Sequence, residues 1–425
     1  MTNSKLIIVG GGPAGIMAAI RAADNGANVT LYEKNNSLGR KLRITGKGRC
    51  NLTNLADTDE IIKNIPGNGK FLYSALQNFS AEDTINFFEG LDLKTKLERG
   101  NRIFPASDNA ADVIDALTKR LAVLNVDVKL NSRVDEIFTN GNKIIGVEVH
   151  KKFIDADAVI LATGGASYPA TGSTGDGFKF AKNLGHTVTK ILPALVPLEV
   201  EEDFVKDLQG LSLKNVRATL KADGKIIDEQ FGEMLFTHFG VSGPIILTLS
   251  RAVAKLLDEK FFVELTINLK PALTPEQLDA RILRDFKKFQ HKAIKNSLGE
   301  LLPKKLISPI LDLSYIDEDK KIDAVTKDER RRLIENLREL TLTVTKTRSL
   351  DEAIVTAGGV DVKEVNPKTM ESKLIKNLFI VGEVLDVDGY TGGFNLQAAW
   401  ATGNAAGYLC SQKSSSLSAP PSQSG

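Results

Sequence analysis

Four residues near the start of the chain have the types and the spacing that hold a dinucleotide. Gly10, Gly12 and Gly15 follow a short apolar segment, and Glu33 follows a second one, Val29 to Tyr32. Glycine here permits a tight turn, lets a pyrophosphate approach the backbone, and lets a helix pack closely on a strand. A carboxylate after the second strand accepts hydrogen bonds from ribose hydroxyls and repels a 2′-phosphate. The pattern predicts a βαβ unit that binds a dinucleotide and disfavours NADP at this site.

A second segment of this kind lies near the end of the chain. The apolar run Leu378 to Val381 is followed by Gly382 and Glu383, and a loop then leads to a helix of small residues. The carboxylate can accept from ribityl hydroxyls, and the helix N–H groups around Asn395 and Leu396 can face the N1/C2=O edge of a flavin. A site for NAD alone needs no such second segment. The two segments together predict FAD as resident cofactor, with NAD(P)H as a candidate transient electron donor.

Between them lies a basic, glycine-rich stretch. The segment 34–54 carries closely spaced cations, Arg40, Lys41, Arg43, Lys47 and Arg49. Basic residues on a glycine-rich loop suit a diphosphate or an electron-rich ring edge. A solvated surface loop is the second interpretation. RNA binding is a third, and it ranks low because no aromatic side chains interleave with the charges.

Glycines also follow a third apolar run, Ala158 to Ala162, and again bring backbone close to a ligand. No second complete G-x-G-x-x-G follows a strand, so the sequence shows no dedicated NAD(P)H domain. The predicted cofactor-binding residues are Gly10, Gly12, Pro13, Ala14, Gly15, Glu33, Lys34, Arg40, Lys41, Lys47, Arg49, Cys50, Asn51, Thr163, Gly164, Gly165, Gly382, Glu383, Gly393, Asn395 and Leu396.

Cys50 has two interpretations. It is a small residue that fills space in a tight loop, or it is a reactive thiol whose pKa is lowered by Arg49 and Lys47. The first is favoured because the other cysteine, Cys410, is far away in the sequence. Two cysteines make no disulfide framework, which is typical of a reducing compartment.

His238 is the candidate catalytic residue. In the segment Gly232 to Leu247, Thr237, His238 and Ser242 interrupt a strongly apolar run. Burial of such groups without partners costs roughly 1–3 kcal/mol each, which suggests a purpose for them. An imidazole donates or accepts a proton near neutral pH, so His238 is predicted at the substrate side of a flavin. The other interpretation is a hydrogen-bonded structural histidine. The histidines are scattered, and no metal site is predicted.

The elements that position these residues divide the chain into four parts. Residues 1–190 and 348–410 are predicted to form a Rossmann-type FAD domain, residues 191–347 an inserted β-rich and helical substrate domain, and residues 411–425 a disordered Ser/Pro-rich tail. The chain has 425 residues and a net charge of +2, which gives no general attraction to nucleic acid or membrane. We expect a cytoplasmic protein with a small-molecule substrate and neither nucleic acid nor membrane as partner; the oligomeric state stays open.

Several motifs extend these expectations. The sequences GGGPAG, RKLRITGKGRCNLTN, ATGGASYPATGSTGDG, GEMLFTHFGVSGP, TAGGV and VGEVLDVDGYTGGFNLQAAWATG occur in that order. Together they resemble the BaiN/RdsA family of FAD-dependent oxidoreductases, the aminoacetone-oxidase-like flavoproteins. TGSTGDG is also similar to fumarate-reductase-type flavoproteins. The resemblance implies an α/β, glutathione-reductase-like FAD domain built from both chain ends, with an inserted β-barrel-like and helical domain.

The resemblance leaves several functions open. It implies an oxidoreductase that transfers hydride between non-covalent flavin and a small organic substrate. The first expectation is NAD(P)H-linked reduction of an unsaturated or ketone-type compound. The alternatives are an amine or aminoketone oxidase that uses oxygen, a flavin-dependent RNA-modifying or RNA-binding protein, and a non-catalytic flavin redox sensor.

Overall fold

The computed structural model describes residues 5–416, with the side chains of residues 5–409. The chain forms two compact units. The first is made of the segments that end at Leu192 and begin again at Ile354, and the second is Pro193–Ala353. The boundaries drawn from the sequence place the inserted segment at 191–347. In the part of the chain that the structure covers, no helix is long and apolar enough to cross a membrane.

The strands, in chain order, are β1 Lys5–Val9, β2 Asn28–Tyr32, β3 Thr53–Asn54, β4 Thr95–Glu98, β5 Arg102–Pro105, β6 Asp127–Lys129, β7 Val134–Asn140, β8 Lys143–Val149, β9 Lys152–Asp155, β10 Ala158–Leu161, β11 Leu192–Ala194, β12 Leu198–Val200, β13 Ser212–Ala222, β14 Lys225–Phe236, β15 Gly240–Ser242, β16 Val263–Asn268, β17 Leu340–Thr347, β18 Val355–Ala357 and β19 Leu378–Ile380.

The α-helices are α1 Pro13–Asp24, α2 Arg40–Gly48, α3 Thr58–Lys63, α4 Tyr73–Asn78, α5 Ala81–Glu89, α6 Ala110–Val123, α7 Asp176–Asn183, α8 Pro244–Asp258, α9 Pro275–Lys288, α10 Lys304–Leu313, α11 Lys327–Arg338 and α12 Phe394–Ser416.

The first unit is built on a parallel sheet of five strands in the order β19-β10-β1-β2-β6. Strands β10 and β19 are apolar and buried throughout, and β1 is so after its exposed Lys5, as expected for a sheet covered on both faces. The carboxyl ends of β1, β10 and β19 therefore meet at one edge, and the three glycine-containing loops of the sequence all follow these strands. Ligands of open α/β sheets bind outside this edge.

Helices α1 and α12 pack closely on one another in the first unit. A Cβ at Gly403 would lie 2.3 Å from the carbonyl oxygen of Ala14, and one at Gly407 would lie 2.4 Å from that of Ala18. The small residues of the last helix thus let two backbones approach. This contact fixes the start of α12 relative to the turn after β1.

The second unit contains a closed barrel with the strand order β12-β15-β14-β13-β16-β17. Helix α8 lies between β15 and β16 in the sequence, and α9 to α11 lie between β16 and β17. Alternate residues of β16, such as Leu265 and Ile267, are fully buried, which is the period of a strand with one face in a core. The predicted α/β fold, with a Rossmann domain from both chain ends and an inserted barrel, is confirmed.

Two segments differ from the expectations. The basic stretch predicted as a loop forms α2, with non-helical backbone only at Thr45, Gly46 and Lys47. Its arginine, lysine and leucine residues are good helix formers, and the glycines concealed this in the sequence. Helix α12 also continues to Ser416, into the tail expected to be disordered, because no glycine or proline intervenes between Gly407 and that residue. Residues 417–425 lie outside the described part.

Candidate cofactor site

The turn after β1 has the three glycines in three different roles. Gly10 has a φ of +111°, and a Cβ there would lie 2.5 Å from the carbonyl oxygen of Ala162. A Cβ at Gly15 would lie 2.0 Å from the carbonyl oxygen of Gly10, so this glycine permits the close approach of α1 to the strand. A Cβ at Gly12 would meet no atom of residues 5–416 within 4 Å. Gly12 thus leaves room beside the first turn of α1, where a pyrophosphate fits.

The start of α1 follows this turn and lies next to the loop after β19. Pro13 occupies the first helical position, where its missing N–H costs nothing, and Ala14 follows. A Cβ at Gly382, which has a φ of +74°, would lie 2.8 Å from the Cβ of Ala14. The loop after β19 therefore touches the helix N-terminus, and the two segments identified in the sequence lie side by side.

Glu33 is buried and closes the glycine turn from the other side. Its Oε2 accepts a hydrogen bond from the N–H of Gly11 at 2.8 Å. Its Oε1 accepts from the backbone and side-chain nitrogens of Asn35 at 2.8 and 2.6 Å. A carboxylate has about four lone-pair positions, so this geometry leaves capacity for a ribose hydroxyl.

Lys34 joins the end of β2 to the loop before α7. Its Nζ donates to Thr174 Oγ1 at 2.6 Å and to Asp176 Oδ2 at 2.7 Å. Partial burial would raise the pKa of Asp176, but the bond from Lys34 and the nearby Arg133 hold it below its ordinary value. Lys34 therefore neutralises a carboxylate of the protein at this place.

Helix α2 contributes Lys41 to the edge of the site. Its Nζ donates to Glu383 Oε2 at 2.8 Å and to Ser167 Oγ at 2.7 Å. Glu383 Oε1 accepts from the N–H of Thr356 at 2.9 Å. Glu383, which was predicted to contact ribityl hydroxyls, is thus paired with Lys41. Lys41 belongs to the basic stretch that was considered suitable for a diphosphate. Ser167 and Thr356 lie within the motifs ATGGASYPATGSTGDG and TAGGV but were not singled out from the sequence. Their contacts with Lys41 and Glu383 join distant segments and appear only in the fold.

The other cations of the basic stretch differ in their surroundings. Arg49 is paired with Glu98 and Asp108, and its guanidinium lies 4.1 Å from the ring centroid of Phe104. These contacts tie Arg49 to β4, β5 and the loop before α6. Arg40 and Lys47 are exposed, and Arg40 donates to Asn35 Oδ1 at 3.0 Å.

Cys50 is a buried thiol. It is 0% exposed, and burial raises its pKa to about 12. The interpretation in which Arg49 and Lys47 lower this pKa is wrong, because desolvation of the thiolate outweighs any attraction to the neighbouring cations.

Two buried polar atoms of the first unit lack a hydrogen-bond partner among the described residues. Asn51 Oδ1 and Thr163 Oγ1 are buried and have no hydrogen-bond partner among residues 5–416. Such an atom costs roughly 1–3 kcal/mol unless another molecule satisfies it. FAD carries hydroxyl, amino and imide donors. Together with the space beside Gly12, these atoms make the first unit fit FAD.

The start of α12 is shaped by glycines and by its own asparagine. Gly392 and Gly393 have φ values of +134° and +103°. Asn395 accepts from the N–H of Gly389 through Oδ1 and donates to its carbonyl through Nδ2, both at 2.7 Å. This pair of bonds closes the loop before the helix. The side chain of Asn395 therefore shapes the loop, and the first backbone N–H groups of the helix, up to partly buried Leu396, have no intrahelical acceptor.

The remaining predicted residues lie at the same edge. Gly164 has a φ of +73°, and a Cβ at Gly165 would lie 2.4 Å from Thr356 Oγ1. The loop after β10 therefore packs on the strand that carries Thr356, which places Thr163 in the bend between them.

His238 belongs to the second unit and lies on the turn between β14 and β15. Its side chain is exposed, and its ring stands edge-on to Phe239 with centroids 4.9 Å apart. Thr237 Oγ1 accepts from the N–H of Gly240 at 3.1 Å. The burial cost that singled out His238 therefore does not apply, because its side chain is exposed on this turn. Its place at the substrate side of a flavin stays a prediction.

Comparison with known proteins agrees with this description. Residues 4–409 match the family model described as HI0933-like protein Rossmann domain. The chain is 34% identical over 413 residues to the 3-dehydro-bile acid delta(4,6)-reductase of Clostridium scindens, which covers 96% of this chain and 100% of that protein. It is 29% identical over 402 residues to the ribosomal RNA dihydrouridine synthase of Escherichia coli, which covers 95% of this chain and 96% of that protein.

A solved structure shows the same fold. The 3-ketosteroid delta1-dehydrogenase from Sterolibacterium denitrificans superposes with a TM-score of 0.52 at 14% identity, over 97% of this chain and 100% of that one. The predicted resemblance is confirmed. The chain belongs to the HI0933-like Rossmann family, and like the other members it is an FAD-dependent oxidoreductase.

Proposed function

We propose that this enzyme reduces a carbon–carbon double bond conjugated to a carbonyl in a small organic substrate, with NAD(P)H as electron donor. The full-length similarity to two differently named reductive enzymes carries the proposal. A dienone of a 3-dehydro-bile acid and the uracil ring of uridine share one feature, a double bond next to a carbonyl. In both, hydride adds to the carbon remote from the carbonyl and a proton adds to the nearer carbon.

The residues of the first unit suit this chemistry. FAD, when bound, supplies the hydride. Gly12 and the start of α1 receive the diphosphate, and Glu33 receives a ribose. Asn51 and Thr163 supply unsatisfied acceptors. The N–H groups at the start of α12 favour negative charge on the ring edge that they face.

His238 stays the candidate proton donor for the substrate. Its side chain is exposed on the turn between β14 and β15 and is therefore accessible to a substrate. Its replacement by alanine should slow substrate reduction by roughly 10²–10⁴-fold if it donates the proton, with FAD content unchanged. Equal rates in both proteins would leave it without a catalytic role.

A uridine in RNA is the second candidate substrate. The relatives named ribosomal RNA dihydrouridine synthase in Escherichia coli and Haemophilus influenzae match over 95% and 94% of this chain. RNA is therefore a stronger candidate substrate than the basic stretch alone suggested. The small-molecule substrate stays first because the identity to the bile acid reductase is higher. The amine oxidase and redox-sensor alternatives have no such support.

The test is anaerobic turnover with a panel of substrates. Purified protein loaded with FAD is given NADH or NADPH with a 4,6-dien-3-one steroid acid, or with ribosomal RNA that lacks dihydrouridine. We expect NAD(P)H oxidation to match a gain of two hydrogens in the dienone, detected by mass spectrometry. The saturated 3-ketone is the matched control and should not react. Two hydrogens gained only by the RNA would select the second candidate, and NAD(P)H oxidation that requires oxygen would contradict both.

A further inference from the structure

We propose that Gln397 is a positioning residue that holds the start of α12 against β3 and thereby sets the affinity and reduction potential of the flavin. The inference rests on the proposed function, because it assumes that FAD lies at the start of α12. Gln397 belongs to none of the residues predicted to bind the cofactor.

The side chain of Gln397 is completely buried, and both of its polar atoms are hydrogen-bonded. Its Oε1 accepts hydrogen bonds from Thr53 Oγ1 at 2.7 Å and from Thr84 Oγ1 at 2.8 Å. Its Nε2 donates to the carbonyl oxygen of Phe79 at 2.8 Å. One amide thus connects the first turn of α12 with β3, with α5 and with the residue that precedes the cap of α5.

Three further contacts join the same two segments. The Nε1 of Trp400 donates to the carbonyl oxygen of Leu52 at 3.0 Å. The Nδ2 of Asn54 donates to the carbonyl oxygen of Gly392 at 3.0 Å. A Cβ at Gly393 would lie 2.4 Å from the carbonyl carbon of Thr53, so the two backbones touch. The segment 52–54 is therefore clamped along the start of α12.

The clamp connects two parts of the cofactor site. Asn51, whose Oδ1 lacks a partner within residues 5–416, immediately precedes the clamped segment. The start of α12, whose first N–H groups have no intrahelical acceptor, is held against that segment. A shift of α12 along β3 would move these N–H groups relative to Asn51. The two sets of groups would then no longer match the fixed positions of the polar atoms on a flavin ring.

The chemistry of an amide is required at this position. The oxygen must accept two hydroxyl hydrogens, and the other atom must donate to a carbonyl. A protonated carboxyl group can make all three bonds. An ionised carboxylate cannot, because it has no hydrogen for the carbonyl of Phe79 and would repel it. The variant Gln397→Glu therefore converts the clamp into one that depends on pH, and burial raises the pKa of such a carboxyl group.

The experiment measures FAD binding and the flavin potential of Gln397→Glu between pH 5 and pH 8. At low pH we expect values close to those of the native protein. At high pH we expect roughly tenfold weaker FAD binding, and a two-electron potential lower by about 30 mV, the equivalent of a tenfold change. The native protein and Gln77→Glu, an exposed glutamine in α4 of the same unit, should show no such transition beyond the ordinary pH dependence of the flavin.

The outcomes separate the inference from the proposed function. A Gln397→Glu protein with the same pH dependence as Gln77→Glu would overturn the positioning role. If Gln397→Glu does not fold at any pH, Thr84→Val decides, because it removes one donor to Gln397 and leaves the glutamine in place. Thr84→Val should weaken FAD binding in the same direction, and native affinity and potential in it would overturn the inference. Neither readout uses a substrate, so failure of enone reduction does not affect them.

Discussion

At the scale of single residues, Gly12 has the clearest relation to the cofactor. Gly10 and Gly15 are small because the protein itself fills the space beside them, whereas no described atom lies where a Cβ of Gly12 would point. A sequence pattern treats the three glycines alike. Their separate roles appear only when the neighbouring backbone is known. The burial of Cys50, and the lack of described partners for Asn51 Oδ1 and Thr163 Oγ1, are likewise visible only in the structure.

Replacement of Gly12 by valine should therefore weaken FAD binding without unfolding the protein. The branched side chain would occupy the space for the pyrophosphate, and Kd should rise at least roughly tenfold, equivalent to ~1.4 kcal/mol. The measurement is flavin fluorescence on titration of the apoprotein. Gly299→Val is the matched control, because a Cβ there also meets no described atom within 4 Å and the position lies in the second unit. Full FAD occupancy in Gly12→Val would refute this placement of the diphosphate.

Cys50 should be unreactive in the folded protein. Since burial raises its pKa to about 12, almost no thiolate is present at neutral pH. Mass spectrometry after treatment with iodoacetamide should find Cys50 unmodified in native protein and modified after unfolding. Cys50→Ser should retain turnover and FAD content. Rapid native modification, or loss of turnover at unchanged FAD content, would show that the thiol takes part in the chemistry.

At the scale of elements, apolar runs and the glycines near their ends predicted strands β1, β2, β10 and β19 and helices α1 and α12. The runs that became β1, β10 and β19 are apolar and end in glycine, so both their type and their ligand edge could be expected. Helix α2 could not, because glycines within a basic stretch suggest a loop until tertiary contacts, such as that of Lys41 with Glu383, are known. The exposure of His238 was also hidden, since an apolar run does not reveal where a barrel strand turns.

A buried histidine joins α7 to the segment before β19. His186 Nε2 lies 2.9 Å from Ser372 Oγ, and its Nδ1 lies 3.1 Å from Glu364 Oε2. The serine oxygen also accepts from the backbone N–H groups of Leu374 and Ile375. Ser372, His186 and Glu364 contact one another in the same order as the serine, histidine and carboxylate of a hydrolytic triad. The serine is buried, however, and its oxygen fixes a turn of the backbone. Their role is to hold the end of α7.

This cluster should make stability depend on pH. Burial lowers the pKa of His186 below its ordinary 6.5, although Glu364 opposes the shift. The unfolded chain then binds a proton more readily than the folded one, so the free energy of unfolding should fall as pH drops through 6.5. One proton limits this slope to ~1.4 kcal/mol per pH unit. The pKa of Glu364 is also lowered, despite partial burial, and its contribution is lost at lower pH, below its ordinary 4.5.

Urea unfolding between pH 7.5 and 5.5 measures the effect. His186→Asn should show a smaller loss of stability over this interval than the native protein. His291→Asn, which removes an exposed histidine, is the matched control and should keep the native dependence. An equal slope in all three proteins would mean that His186 does not cause it.

At the scale of the whole molecule, the candidate site for FAD lies within one unit that is assembled from both ends of the chain. The family is established over residues 4–409, and the reductases that resemble it differ in the size of their substrates. A double bond next to a carbonyl is the feature that the two proposed substrates share. The inserted unit, with its barrel and helices, is the part of the chain in which we expect substrate choice to be encoded.

The most direct test of this account is the reaction of the reduced enzyme with an enone in the absence of oxygen. The FAD-loaded protein is reduced by light and then mixed with the 4,6-dien-3-one steroid acid in a stopped-flow instrument. We predict return of the oxidised flavin absorbance in one phase and one equivalent of a product that has gained two hydrogens. The saturated 3-ketone should leave the flavin reduced. A parallel mixture contains ribosomal RNA that lacks dihydrouridine. A reduced flavin that neither the dienone nor this RNA reoxidises, and that only oxygen reoxidises, would contradict the account.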